Sequence, residues 1–278
     1  MTAWHPHLDA WLLVGAVAGG YALAIRRLGP RLAPAGPSVT RGQVTAFGLG
    51  LLAMWVAADW PVHELAEGSM YSVHMVQHFL LTLVAPPLLI MGTPAWLARW
   101  LLRPAWLLRW VRRFARPLVA LLLFNLVIAV THWPVLVEAS VRSEWAHLGI
   151  HVVVVVTALM MWMPVLSPVM EIPRLPYPGQ MMYLFGQSIL PTIPASFLTF
   201  GDTPLYPVYA AFARPFGMSA LTDQLIAGLF MKIAGGLLLW TVIAVIFFRW
   251  HEQETREGTD ALAWRDVDRE LDRMKVTR

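Results

Sequence analysis

The chain has 278 residues, 58% of them hydrophobic and only 14% charged, with a mean hydropathy of +0.58. This composition excludes an ordinary soluble domain and calls for an all-α polytopic membrane protein. With no nucleic-acid motif present, the net charge of +4 reads as membrane-orienting charge, and the absence of cysteine excludes disulfides, thiolate metal sites and redox thiols.

Runs of mostly apolar residues predict seven transmembrane helices. The first, residues 8–25, stops at Arg26-Arg27, and the stretch before it lacks the basic leader of a signal peptide, so it is expected to be retained. The second, 43–58, ends at Asp59. The third, 72–91, carries Pro86-Pro87 late in its course, and the fourth and fifth cover 117–131 and 146–163. The sixth, 180–200, contains Gln187, Ser188, Pro191 and Pro194, the pattern of a kinked helix. The seventh, 222–248, holds Lys232, whose ammonium is expected to reach a polar site on another helix or to snorkel.

Between the third and fourth runs, residues 94–117 interleave Trp96, Trp100, Trp106 and Trp110 with six arginines. Their i,i+4 spacing predicts one or two amphipathic helices lying on the cytoplasmic interface of the bilayer, broken at Pro104. A charged cytoplasmic tail, 251–278, containing Trp264, follows a membrane domain of residues 1–250 and is expected to form a short amphipathic helix. Eighteen of the 21 basic residues fall on one side of this scheme. That places the N-terminus outside and the C-terminus in the cytoplasm.

Eight of the nine histidines fall at or near the outer face: His5, His7, His63, His74, His78, His132, His147 and His151. His74/His78 and His147/His151 are HxxxH pairs opening two apolar runs. Residues i and i+4 share a helix face, about 6 Å apart along the axis, so each pair offers two imidazoles to one ion. Two such helices side by side would surround it. Met75 lies beside the first pair, while Met160, Met161, Met163 and Met170 read as core packing. His63, His132 and Asp59 are further candidates, as ligands or as groups that orient an imidazole.

Imidazoles suit zinc, copper, iron and nickel, and a thioether adds Cu(I), so residue type alone leaves copper, zinc and haem iron open. A zinc-dependent hydrolase of lipid amides or esters fits, with Asp59 or Glu138 as general acid and base. A haem-binding electron carrier with His78 and His151 as axial ligands also fits.

The stretches Ser72-Val73-His74-Met75-Val76-Gln77-His78-Phe79-Leu80-Leu81, Ala85-Pro86-Pro87-Leu88-Leu89 and Gly92-Thr93-Pro94 resemble the CtaG family of membrane-bound cytochrome c oxidase assembly factors. So do His132-Trp133-Pro134, the His147/His151 pair, Trp162-Met163-Pro164-Val165, the loop from Thr203 to Tyr209, and Asp223-Gln224 with Gly228. The resemblance covers roughly residues 45 to 248. It implies a non-enzymatic assembly factor of the bacterial cytoplasmic (inner) membrane. Copper would be handled by His74, His78, His147 and His151. The implied partners are cytochrome c oxidase subunits and a soluble extracytoplasmic copper carrier. Two positions depart from the family pattern. Val137-Glu138 stands where a Tyr-Asp pair is expected, and Lys232 stands where an aromatic follows the methionine of the seventh run.

Overall fold

The computed structural model describes residues 7–33, 36–212 and 214–276, with side chains described except at 216, 257–268 and 270–276. His5 and the side chain of Trp264 lie outside the described residues. No strand occurs among the described residues.

Helix α1 (Leu8–Arg27) ends on Arg26 and Arg27, cations that complement the carbonyl end of a helix. A single turn, α2 (Gly29–Leu32), follows. Helix α3 (Arg41–Ala58) opens on a capping box: Thr40 Oγ1 accepts from the Gln43 amide at 3.2 Å, and Gln43 Oε1 accepts from the Thr40 amide at 3.0 Å. Helix α4 (Val62–Gly68) continues nearly in line after Pro61.

The next span is the most deeply embedded in the bundle. It consists of α5 (Tyr71–Phe79), a π-helical turn (Leu80–Val84) and α6 (Ala85–Gly92). Pro86 has no N–H to offer the Thr82 carbonyl one turn back. The indole of Trp162 donates to that carbonyl instead, at 3.0 Å, so the interruption is satisfied from a neighbouring helix.

Apolar side chains gain little by leaving lipid for protein, so close packing and polar bonds hold such a bundle together. Gly92 lies so near α3 that an added Cβ would sit 2.4 Å from the Phe47 amide nitrogen. Tyr21 of α1 stacks on Phe47 and donates to the Gly92 carbonyl at 2.8 Å, tying three helices together.

Helices α7 (Ala95–Leu101) and α8 (Ala105–Phe114) break at Pro104, as the sequence predicts, and α8 turns 79° into α9 (Pro117–Thr131). Trp106 and Trp110 are exposed, whereas Trp96 is buried and donates to the Ser38 carbonyl at 2.7 Å, so it is a packing residue rather than an anchor. A short α10 (Pro134–Arg142) leads to α11 (Glu144–Leu166), the centre of the main core through Val154, Ala158, Met161 and Trp162. Met163 is buried there too, but Met170 is exposed, against the expectation of core packing for all four methionines.

The sixth predicted run is interrupted near Pro191. It divides at Leu190-Pro191 into α12 (Tyr177–Ile189) and α13 (Thr192–Phe200). A turn of helix, α14 (Pro207–Ala210), precedes α15 (Ala220–Val276). Lys232 lies over the ring of Phe200 at 4.6 Å, so its partner on the neighbouring helix is an aromatic face rather than a polar site. The tail is not a separate short helix: its backbone prolongs α15 without a break.

Five helices among the described residues are long and apolar enough to cross a membrane: Leu8–Arg27, Arg41–Gly68, Tyr71–Gly92, Glu144–Leu166 and Ala220–Arg256. The bent pair α8–α9 brings the number to six if it forms one span. The protein is thus multi-helical and of membrane type. The count of seven requires α12 and α13, with 13 and 9 residues, to act together.

Candidate metal centre

Everything at this centre hangs on the start of α5. Met70, its N-cap residue, provides no side-chain cap. The cap comes from α15 instead: Asp223, 1% exposed, accepts from the amides of Tyr71 and Ser72 at 2.7 and 3.1 Å. A carboxylate on two orphan N–H groups at a helix N-terminus is a charge-assisted arrangement favoured by the dipole. The loop before α15 adds two phenols. Tyr206 donates to the His132 carbonyl at 2.8 Å and Tyr209 to the Ala66 carbonyl at 2.8 Å. Burial pushes the Tyr206 hydroxyl up to about 12 and raises that of Tyr209 further, so both stay protonated as donors at neutral pH.

Held in this way, α5 presents His74 and His78 on one face, ring centroids 4.4 Å apart. Helix α11 presents His147 and His151 in the same manner, 4.1 Å apart. The two faces meet: His151 lies 5.3 Å from His78 and 6.2 Å from His74. One ligand atom from each of His74, His78 and His151 falls within 4.8 Å of the others.

The fourth predicted ligand is displaced by one turn. His147 joins a second group with His63 and Glu67 of α4, again with ligand atoms within 4.8 Å of one another. Its Nε2 lies 2.9 Å from Glu67 Oε1, and His63 Nε2 lies 3.4 Å from the same oxygen. The two groups adjoin along α11, a deep one of three imidazoles and a shallow one of two imidazoles and a carboxylate. The sequence reading gathers the four paired histidines into one set; the structure divides them between these two.

The other candidates have different neighbours. Asp59 is 2% exposed and accepts from the His7 amide at 3.2 Å and the Trp11 indole at 2.9 Å, fastening α1 to the end of α3. It stands outside both groups, as does Glu138, which pairs with Arg142 on the surface. Met75 packs with Tyr71, Val137, Leu198 and Tyr206. The ring of His132 lies 5.3 Å from that of His78, with Nδ1 2.7 Å from the Ile128 carbonyl and a buried, unpartnered Nε2.

Glu67 is the residue that sequence reasoning passes over. His63-x-x-x-Glu67 has the same i,i+4 spacing as the histidine pairs, and that spacing was the available signal. Gln77 is the other omission: its Nε2 lies 2.8 Å from the Ala57 carbonyl and 3.2 Å from His63 Nδ1, turning the opposite edge of that ring toward Glu67.

The deep group suits a soft or borderline ion. His74 Nδ1, both nitrogens of His78 and His151 Nε2 are buried without partners. Each such atom costs about 1–3 kcal/mol if nothing binds it. Three converging imidazoles are a donor set for copper or zinc, and a fourth coordination position stays free.

A family model described as cytochrome c oxidase caa3 assembly factor (Caa3_CtaG) matches residues 19–253. Two curated relatives, uncharacterized proteins of Mycobacterium bovis and Mycobacterium tuberculosis, are each 27% identical over 274 residues. The alignment covers 88% of this chain and 39% of each relative, so the chain spans well under half the length of the curated relatives it matches. No solved structure matches.

Proposed function

Because the chain belongs to the cytochrome c oxidase caa3 assembly factor family, we propose that it binds copper through His74, His78 and His151 and hands it to a nascent oxidase subunit in the membrane. The observation that carries this reading is the convergence of three imidazoles whose buried nitrogens lack partners. The role is that of an assembly factor, with copper as cargo.

Transfer proceeds by ligand exchange. The free coordination position accepts a first donor from the acceptor site, and the imidazoles of the deep group are then replaced one at a time. The ion keeps its oxidation state throughout. A three-ligand site suits this task because a closed four-ligand cage would have to open before any acceptor could enter. His132, whose ring lies 5.3 Å from that of His78 and whose Nε2 is unpartnered, serves as a further imidazole during exchange.

The setting we propose is the bacterial inner membrane, crossed seven times with α12 and α13 as one bent span. The N-terminus lies outside and the basic segment α7–α8 rests on the cytoplasmic surface. The copper site then faces the outer compartment, where a soluble carrier delivers the ion.

Elemental analysis of detergent-purified protein tests the binding step. Copper is expected in the parent after loading, and the ion held by the three imidazoles is expected to be lost when His74, His78 and His151 are all changed to Ala, so that the variant holds less copper than the parent. An undiminished copper content in that variant contradicts the assignment, and zinc in place of copper moves the function toward hydrolysis.

A further inference from the structure

The deep triad does not use His63, Glu67 and His147. We propose that these three residues form a second copper site, the shallow station from which the ion enters the deep one. This rests on the copper reading above.

Several observations bear on it. The three ligand atoms already lie within 4.8 Å of one another. Two imidazoles and a carboxylate make a harder set than three imidazoles, suited to an ion arriving with its water shell. Exposure falls along the path, from 32% at the Glu67 side chain through 19% at His63 to 7% at His147. Beside the site a further pair, Glu64 with His7 at 3.4 Å, offers the same donor chemistry. The rings form a stair: His7 to His63 is 4.3 Å, His63 to His147 is 5.6 Å, and His147 to His151 is 4.1 Å.

The site is also held in place. Tyr209 anchors α4 through the Ala66 carbonyl, next to Glu67, and Gln77 fixes the ring of His63. Nε2 of His63 and Nε2 of His147 face the same Glu67 oxygen, at 3.4 and 2.9 Å. When the ion binds at Nε2 of His63, that ring carries its proton on Nδ1. That nitrogen faces Gln77 Nε2 at 3.2 Å, so on binding the Gln77 amide turns its Oε1, buried without a partner, toward it.

Movement inward then needs no change of oxidation state. The bond from the ion to the Glu67 oxygen breaks as a bond to His151 forms. His63 and His147 are released as His74 and His78 take their places, and the carboxylate regains its two imidazole neighbours.

The test uses the full chain in detergent, equilibrated with Cu(II) and desalted, with copper measured by elemental analysis and paramagnetic resonance. The parent is expected to hold about two copper ions per chain, since each set of deprotonated ligands binds its own ion. Their proximity should broaden the resonance spectrum. Glu67→Gln and His63→Ala should each hold about one, with the broadening gone, and Glu67→Asp should recover part of the second. Equal melting temperatures of metal-free parent and variants separate loss of a ligand from loss of fold.

One ion in the parent, kept by Glu67→Gln and lost by His78→Ala, overturns the shallow site and leaves the deep one standing. One ion lost by Glu67→Gln but kept by His78→Ala upholds the shallow site and contradicts the deep one. No copper in the parent overturns both.

Discussion

Asp223 sits on α15, some 150 residues from the amides it caps, and its two bonds fix the rotation and depth of the helix carrying His74 and His78. Asn at this position retains one acceptor and leaves the other buried N–H facing an amide donor, a loss of about 1–3 kcal/mol. Asp223→Asn is therefore expected to lower the melting temperature of the metal-free protein and to weaken copper binding, although it touches no ligand. An unchanged melt and unchanged copper affinity would contradict this role. Glu67 offers the complementary lesson. It is an ordinary surface-type residue in the sequence, and it becomes a metal-site candidate only because α4 folds against the first turn of α11 and sets two imidazoles on one carboxylate.

The embedded span from Tyr71 to Gly92 is one functional helix assembled from three pieces. Its π turn is tolerated because Trp162 reaches the carbonyl that Pro86 leaves free, and its end is fixed because Gly92 lets α3 approach at backbone distance. Gly92→Ala must part these helices and is expected to destabilise by about 1–3 kcal/mol, as overpacking does. Gly48→Ala, also on α3 but with open space around its Cβ, is expected to be close to neutral. Equal melting temperatures for the two variants would refute the close-approach reading.

The same span shows what the sequence discloses. Its apolar run, its His74/His78 face and the late prolines are local patterns, readable along one segment. The breaks at Pro191 and Pro104 are likewise legible. The cap from Asp223, the Trp162 bond and the pairing of His147 with Glu67 join segments tens of residues or more apart, and no periodicity within either segment encodes them. Asp59 misleads for the same reason. Its carboxylate looks free for a metal in the sequence, and in the fold it is already committed to His7 and Trp11.

At the scale of the molecule, ring contacts link His7, His63, His147, His151, His74, His78 and His132 into one cluster, while α8 exposes Trp106 and Trp110. Seven crossings with the N-terminus outside predict that a reporter active only in the cytoplasm works at the C-terminus and fails at the N-terminus. Activity at both ends would mean an even number of crossings and contradict the count of seven. The proposed delivery involves the chain together with its acceptor. In a strain whose only copy carries His78→Ala and His151→Ala, the protein is expected to reach the membrane at normal levels while the oxidase lacks copper and activity. An oxidase with full copper and full activity in that strain would contradict delivery through these histidines.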